Sequence, residues 1–453
     1  MGSVAVVALF CYIASLALAI TVYGAKLMVL RWYALAGLMI TSGLYWASSR
    51  KGQPHGSERT DNILVVAYLM ATFLSVISAE NQLFSGLRWL SHAFMLVALL
   101  VLLKNSLNAE HTAAIFLFLK GVIAALLLVS WLNPISPVVM KTSQLYRGAL
   151  GCSNAMGQIA TTGAILYLHG FLIEKQKRWL RVGQLGMALL ALWIMWSSGS
   201  RSALVAFLAG LAAMNYFYPK IIRGKILFVA LVATFSMFAF PSLPGNIRQV
   251  ILREDKPARS ISEQLLVTRL SVWTASWNGF QKRPLFGWGF GADDGIASKW
   301  ETQLVALGTV ARDNVNDTLV IMEGAGVVGL GAYILLVIFV LRQIPTRSER
   351  HLLARLHSPP SGPKGYALSN YNLHAITFII GAALLLMVQF DNTALSAGNF
   401  VSVTLWLCVA LAGAIRKKVM ADELLYQRQR QSFQRHATAH VQTAQTSSGI
   451  TNA

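Results

Sequence analysis

The chain has 453 residues, 55% of them apolar and only 12% charged. That balance excludes an ordinary soluble globular protein and identifies an integral membrane protein. The net charge of +20 sits mostly in loops between apolar runs, so it argues for membrane orientation and anionic lipid and against nucleic acid as the partner.

Apolar runs of about 17–25 residues, enough for a helix to cross a bilayer core of roughly 30 Å, recur along most of the sequence. Candidate spans lie near 4–24, 27–48, 62–79, 88–103, 113–132, 156–173, 180–197, 201–217, 221–240, 319–341, 373–390 and 398–415. The first run lacks a basic lead-in and is followed by further spans, so it reads as a retained helix and not a cleaved signal peptide. The expected fold is an all-α, polytopic membrane bundle of about twelve helices. Residues 1–240 hold spans one to nine, 241–318 form a large loop region containing helices, and 319–418 hold the last three spans with a basic loop at 342–372. A polar tail, 419–453, is expected to be partly disordered.

Lys and Arg gather in the even-numbered connections: Arg50, Lys51 and Arg59; Lys175, Lys177, Arg178 and Arg181; Lys220, Arg223 and Lys225; and the stretch from Arg342 to Lys364. By the positive-inside rule these face the cytoplasm, as do both termini. The odd-numbered connections then lie outside, and the unusual polar residues collect there. Cys11, Cys152 and Cys408 are far apart, show no ligand or disulfide spacing, and read as small apolar packing residues.

In the fifth connection, Tyr146 and Arg147 precede GALGCSNAMG, where Gly148, Gly151 and Asn154 read as an unwound turn ahead of the next helix. Irregular backbone at membrane depth is tolerated only where protein or a watery cavity covers it, which favours a site nearby. SGSRSALVAFLAG, from Ser198, sets Arg201 at the mouth of an apolar helix whose free N–H groups, beside Ser200, suit an anion. An arginine at a helix end can also be a snorkelling anchor, but anchors belong to the basic face and this one is expected on the other. VTRLSVWTASWNGFQKRPLFGWGFG holds Arg269 on a helix ended by Lys282-Arg283-Pro284. That helix reads either as an amphipathic surface helix or as a carrier that brings Arg269 to Arg201 around a phosphate. Finally, ARDNVNDTLVIMEGAGVVGLG places Asp313, Asn314, Asn316 and Asp317 just before a span and Glu323 more than one turn into it. Asp313 or Asn316 suits an N-cap, whereas Glu323 must be functional or paired. Asp391 and Asn392 read as an interfacial turn.

The order of these segments resembles the O-antigen ligase and polymerase superfamily of bacterial inner-membrane glycosyltransferases. RGALGCSNAMGQ is similar to its Gly/Asn turn, SGSRSALVAFLAG to its SGSRGA-type helix start, RLSVWTASWNGFQKRPLFGWGFG to its Arg-led helix with a "hPlfGxGxG" ending, and DNVNDTLVIMEGAGVVGLG to its HN-led motif. The resemblance implies a bundle of GT-C type with its site on the periplasmic side, and transfer of a glycan from undecaprenyl pyrophosphate to an acceptor hydroxyl without a metal or other cofactor. It assigns Arg201 and Arg269 to the donor pyrophosphate and the catalytic base to the start of the fourth motif, where Asp313 stands in place of the family's histidine. Arg147, Asn154, Ser200, Arg283, Asn314, Asn316 and Glu323 are the expected substrate contacts. A ligase acts on a lipid A core, a polymerase on another polyprenyl-linked repeat; a glycolipid transporter is the rival of another class. The chemistry also stands on its own, since permanently charged arginines aimed at a pyrophosphate leaving group stabilise the charge it develops.

Overall fold

The computed structural model describes residues 2–21, 29–49, 58–104, 107, 109–132, 148–150, 153–174, 177–219, 273–274, 276–291, 317–345, 349, 370–389 and 399–418. The described residues are helical, without a strand. The helices are α1 Gly2–Ala19, α2 Leu30–Ser49, α3 Glu58–Ile77, α4 Gln82–Leu96 with a π-helical continuation Val97–Leu103, α5 Ala109–Leu132, α6 Ser153–Ile173, α7 Arg178–Ser198, α8 Arg201–Phe217, α9 Asp317–Leu341, α10 Asn370–Met387 and α11 Phe400–Lys418. They occupy eleven of the twelve expected positions, and the expected ninth span, 221–240, lies outside the described residues. Among the described residues, seven helices are by length and composition apolar enough to cross a membrane, α9 counted from end to end, so the chain is a multi-pass membrane protein.

The bundle's core is α10 and α11. Trp406, the largest fully buried side chain among the described residues, sits in α11, which is buried along nearly its whole length. Outer helices instead expose Ile40, Met70, Leu132, Trp179 and Leu189, apolar side chains that only lipid can cover. α6 is a helix of small residues packed closely between its neighbours. A methyl group on Gly157 would lie 2.6 Å from Ser200 Cβ, and one on Gly170 would strike the Gln184 side chain of α7. Close approach of this kind replaces the hydrophobic force that helices lack between themselves in lipid.

α6 and α8 run parallel. Gly157 abuts Ser200, Thr161 Oγ1 donates to Ala203 O at 3.0 Å, and Ile165 fills the space beside Gly210. α10 runs antiparallel to α8, with Tyr371 Oη donating to Phe217 O at 2.7 Å and Ala383 beside Gly210. At about 1.5 Å per residue, that register sets Arg201 within about a turn of the level of Gln389.

α9 departs from the expected straight span at 319–341. Gly326 has φ 64° and ψ −162°, and the two halves fold back on each other. A methyl on Gly329 would strike Ala325 Cβ and come within 3.6 Å of Ile321 Cγ2, a side chain eight residues earlier, which a straight helix would hold about 12 Å away. One glutamine bridges Thr318 and Tyr333: Thr318 Oγ1 donates to Gln389 Oε1 at 2.6 Å, and Gln389 Nε2 donates to Tyr333 Oη at 3.0 Å. In a straight helix those residues would stand more than about 20 Å apart. α9 is therefore a helical hairpin, a short arm 317–325 and a longer arm 327–341, with its apex at 323–327.

At the other end of α8 and α10 lies a buried polar network. Lys120 Nζ of α5 meets Glu174 Oε2 at 3.4 Å and Gln184 Oε1 at 3.2 Å, and His169 Nδ1 stands 3.7 Å from Glu174. His169 Nε2 meets Tyr218 Oη at 3.1 Å, which in turn donates to Asn372 Oδ1. Removing one partner of a buried pair strands the other's charge. Glu174→Gln alone is therefore expected to destabilise the protein by about 3–5 kcal/mol, and the double variant Lys120→Met/Glu174→Gln to recover most of that loss, as read by thermal unfolding in detergent.

Candidate functional site

Two corners of the bundle, at the same end, carry the motifs. The first is the junction of α6, α7 and α8. α7 ends on Gly199 in the left-handed conformation, Ser200 caps α8 by accepting from the Ala203 N–H at 3.4 Å, and Arg201 opens the helix, half-buried. Ser200 Oγ also meets Ser202 Oγ at 3.0 Å. Because α6 and α8 are parallel and level, their N-termini lie side by side, and Asn154 is the second residue of α6. Two positive helix ends side by side, one of them opened by an arginine, form an anion-attracting corner.

The second corner is built by the loop 283–291, which follows a short helix at 276–282. Its glycines lock onto the apex of the α9 hairpin. Trp288 N–H donates to Glu323 O at 3.0 Å and Gly289 N–H to Gly324 O at 2.8 Å, while Val327 N–H donates to Pro284 O at 2.8 Å. Gly287 (φ 66°) and Gly326 (φ 64°) both lie in the left-handed region, and a side chain on either would run into the other strand's backbone. The loop is tied as firmly to α4. Ser85 Oγ donates to Phe290 O at 3.1 Å, and Arg88 donates to Gly291 O.

The hairpin changes the reading of Glu323. Expected more than one turn inside a span, it stands instead at the apex, half-buried, with its Oε1 2.8 Å from where a Gly279 methyl would lie. Arg283 is engaged within the protein: it pairs with Glu80 Oε1 at 2.9 Å, donates to Ser78 O at 3.3 Å and stacks on Trp288 at 4.0 Å. Arg147, Arg269, Asp313, Asn314 and Asn316 lie outside the described residues, as do Asp391 and Asn392. Asp317, the fifth residue of the fourth motif, is fully buried, and its N–H donates to Val388 O at 3.3 Å. Through Val388 and Gln389, the end of α10 thus meets the start of the short arm of α9, near the level of Arg201.

Residues 185–334 match the protein family described as O-antigen ligase. That stretch, about a third of the chain, is what the chain shares with O-antigen ligases. The matched third of the chain holds Arg201, Arg283, Glu323 and most of the hairpin, whereas the Gly/Asn turn and α1–α6 precede it. No curated protein matches the chain significantly.

Sequence reasoning missed a buried group beside the second corner. Tyr68 Oη of α3 lies 3.3 Å from His92 Nε2 of α4, and the His92 ring packs against Phe290 at 5.3 Å. Neither residue stands in a motif; the signal available was a histidine and a tyrosine inside apolar runs. Between α2 and α4, an open groove of about 480 Å³ is lined by Trp32, Leu35, Phe84, Leu87 and Phe94, with Arg88 at its edge. Among the described residues, no group of three His, Cys, Asp or Glu side chains gathers as a metal site.

If the glycine lock assembles this corner, Gly287→Ala and Gly326→Ala each destabilise the protein by about 2 kcal/mol or more, through left-handed strain and backbone collision. Gly331→Ala, where an added methyl meets nothing within 4 Å, is the control and stays within about 0.5 kcal/mol or stabilises slightly. Thermal unfolding of the three variants checks this.

Proposed function

We propose that the protein is a glycosyltransferase that takes a glycan from undecaprenyl pyrophosphate and joins it to an acceptor hydroxyl on the periplasmic face of the inner membrane, in the manner of an O-antigen ligase acting on a lipid A core. The observation that carries this reading is the corner at Arg201. An arginine that stays protonated at any working pH opens one of two parallel helices whose N-termini lie side by side, within the region shared with O-antigen ligases. As the bond from sugar to pyrophosphate breaks, negative charge grows on the departing phosphate oxygens. Fixed positive groups in a poorly hydrated corner stabilise that charge more in the transition state than in the ground state.

Arg269 is the expected second guanidinium on the pyrophosphate, and Asp313 the expected group to take the acceptor's proton or orient its hydroxyl. Arg147, Asn154, Ser200, Asn314, Asn316 and Glu323 would line the donor and acceptor path. Arg283 fits a role in holding the loop 283–291 against α3, since its contacts are to Glu80 and Trp288. The groove between α2 and α4 suits an aliphatic chain, by its apolar lining and its arginine edge. Both termini and the basic loop at 342–372 would face the cytoplasm. The charge of the reacting groups is met by arginines, and no metal or other cofactor is required.

The test is transfer by the purified protein with an undecaprenyl-pyrophosphate-linked glycan and a lipid A core acceptor. Arg201→Ala and Arg269→Ala are each expected to lower the transfer rate by more than about 100-fold while the protein still inserts. Arg201→Lys, which keeps the charge but loses the bidentate fork, is expected to fall between. Elongated polyprenyl-linked glycan in place of core-linked product identifies a polymerase, and movement of the glycolipid between leaflets without product identifies a transporter. Full transfer by both alanine variants would falsify the phosphate assignment.

A further inference from the structure

We propose that the groove between α2 and α4 seats a resident anionic phospholipid, with one acyl chain in the groove and its phosphate on Arg88, and that this lipid steadies the loop 283–291. Such a site depends on the helix packing alone and not on the transferase reading.

The groove holds about 480 Å³, within the range of roughly 300–1,000 Å³ common to pockets for small organic ligands. Trp32, Leu87 and Leu90 on its walls are exposed apolar side chains, a surface that hydrocarbon covers in a membrane. Two of the lining residues are polar. Ser91 is satisfied within its own helix, where its Oγ donates to Arg88 O at 2.8 Å. Arg88 is the other, and it brings the groove's one charge among the described residues.

The Arg88 guanidinium lies over the Phe84 ring at 4.3 Å and donates through Nη1 to Gly291 O. The fit to the loop is close, since a methyl on Gly291 would stand 2.8 Å from Arg88 Cδ. Among the described residues no carboxylate forms an ion pair with Arg88. The rest of its N–H fork therefore remains for an anionic acceptor, and a guanidinium fork matches the oxygens of a phosphate. On the opposite wall Arg31 lies over the Trp32 ring at 4.8 Å. Each wall thus carries an aromatic ring with an arginine laid across it.

An arginine beside hydrocarbon usually belongs to the basic face of a membrane protein or snorkels away from it. Arg88 does neither. The groove joins the start of α2 to the start of α4, so Arg88 stands at the end of the bundle away from Arg50 and Lys51, which follow the last residue of α2. Its side chain is also folded back onto the protein, against Phe84 and Gly291. What suits the place is a hydrocarbon chain next to a phosphate. A bilayer phospholipid has that form and is present at the concentration of the membrane itself, so a site of modest affinity stays filled. A polyprenyl donor carries similar chemistry but leaves at every turnover, whereas Arg88 is part of the seat of a loop. Phosphate on the open side of the guanidinium holds the rotamer that carries Gly291, at the far end of the loop from the pair of Arg283 with Glu80.

The experiment measures lipid retained by the full chain, by native mass spectrometry from detergent micelles doped with phosphatidylglycerol or with phosphatidylcholine, whose choline offsets the phosphate charge. Thermal unfolding is followed in the same mixtures. Wild type is expected to retain phosphatidylglycerol about fivefold or more over phosphatidylcholine, and to unfold at a higher temperature with it. Arg88→Gln keeps an amide that can donate to Gly291 O but loses the charge, and is expected to erase the preference and most of the thermal shift. Ala36→Trp fills the groove from its α2 wall without altering any charge, and is expected to lose the retained lipid; it carries the test if Arg88→Gln does not fold. Equal retention of the two lipids by wild type, or a preference that survives both substitutions, overturns the site. Displacement of phosphatidylglycerol by an equimolar amount of undecaprenyl phosphate assigns the groove to a polyprenyl chain and overturns the resident phospholipid. Every readout is made without glycan transfer, so failure of the lipid site leaves the transferase reading intact, and failure of transfer leaves the lipid site intact.

Discussion

In hydrocarbon, every backbone N–H and C=O must find a partner within the protein, because no water is there to supply one. A helix that stops and doubles back therefore needs other main chain to take up the groups freed at its turn. In this protein that service comes from Pro284 to Gly289, whose carbonyls and amides alternate with those of Glu323 to Val328. The exchange works only at backbone-to-backbone distance, which is why glycines stand at 287, 289, 324 and 326 on facing sides. The second corner follows from this contact: the height of the α9 apex, the seating of Phe290 over α4, and the depth to which the short arm carries Asp317.

Two kinds of positive potential meet at the first corner. The helix ends contribute partial charge from fixed amides, and Arg201 contributes a full charge on a side chain. Neither would hold an anion tightly against bulk water and salt. Their joint effect depends on the parallel packing of α6 and α8, which aligns the two dipoles instead of cancelling them. Gly157 and Thr161 make that alignment possible, so residues without any charge set the local field.

Much of this was legible in the sequence. Apolar run lengths placed the helices, and SGSRS correctly announced a capped helix start with an arginine, because capping and composition are local properties. The hairpin was not legible. TLVIMEGAGVVGLGAYILLVIFVL is apolar throughout and has a span's length, and nothing within it distinguishes a glycine that permits a turn from one that merely packs. Only the partner loop, about forty residues earlier, makes the distinction. Lys120 was a fair signal left unread: a lysine within AAIFLFLKGVIAALLL must be paired, and Glu174 and Gln184 pair it. His92 was hidden for another reason, since its meaning lies in Tyr68 and Phe290, which belong to different elements.

The contact between Arg283 and Glu80 bears on how this region varies over evolutionary time. The two residues are 203 positions apart, and Arg283 is also stacked on Trp288 beside the glycine lock. A change of charge at either position leaves the other without its counterpart at the rim of the bundle. Within a set of relatives, the pair at 80 and 283 should thus be inherited together, as arginine with a carboxylate or as two neutral residues. The family match begins at residue 185, so the third motif's basic residue answers to a loop that lies wholly outside the region by which the family is recognised.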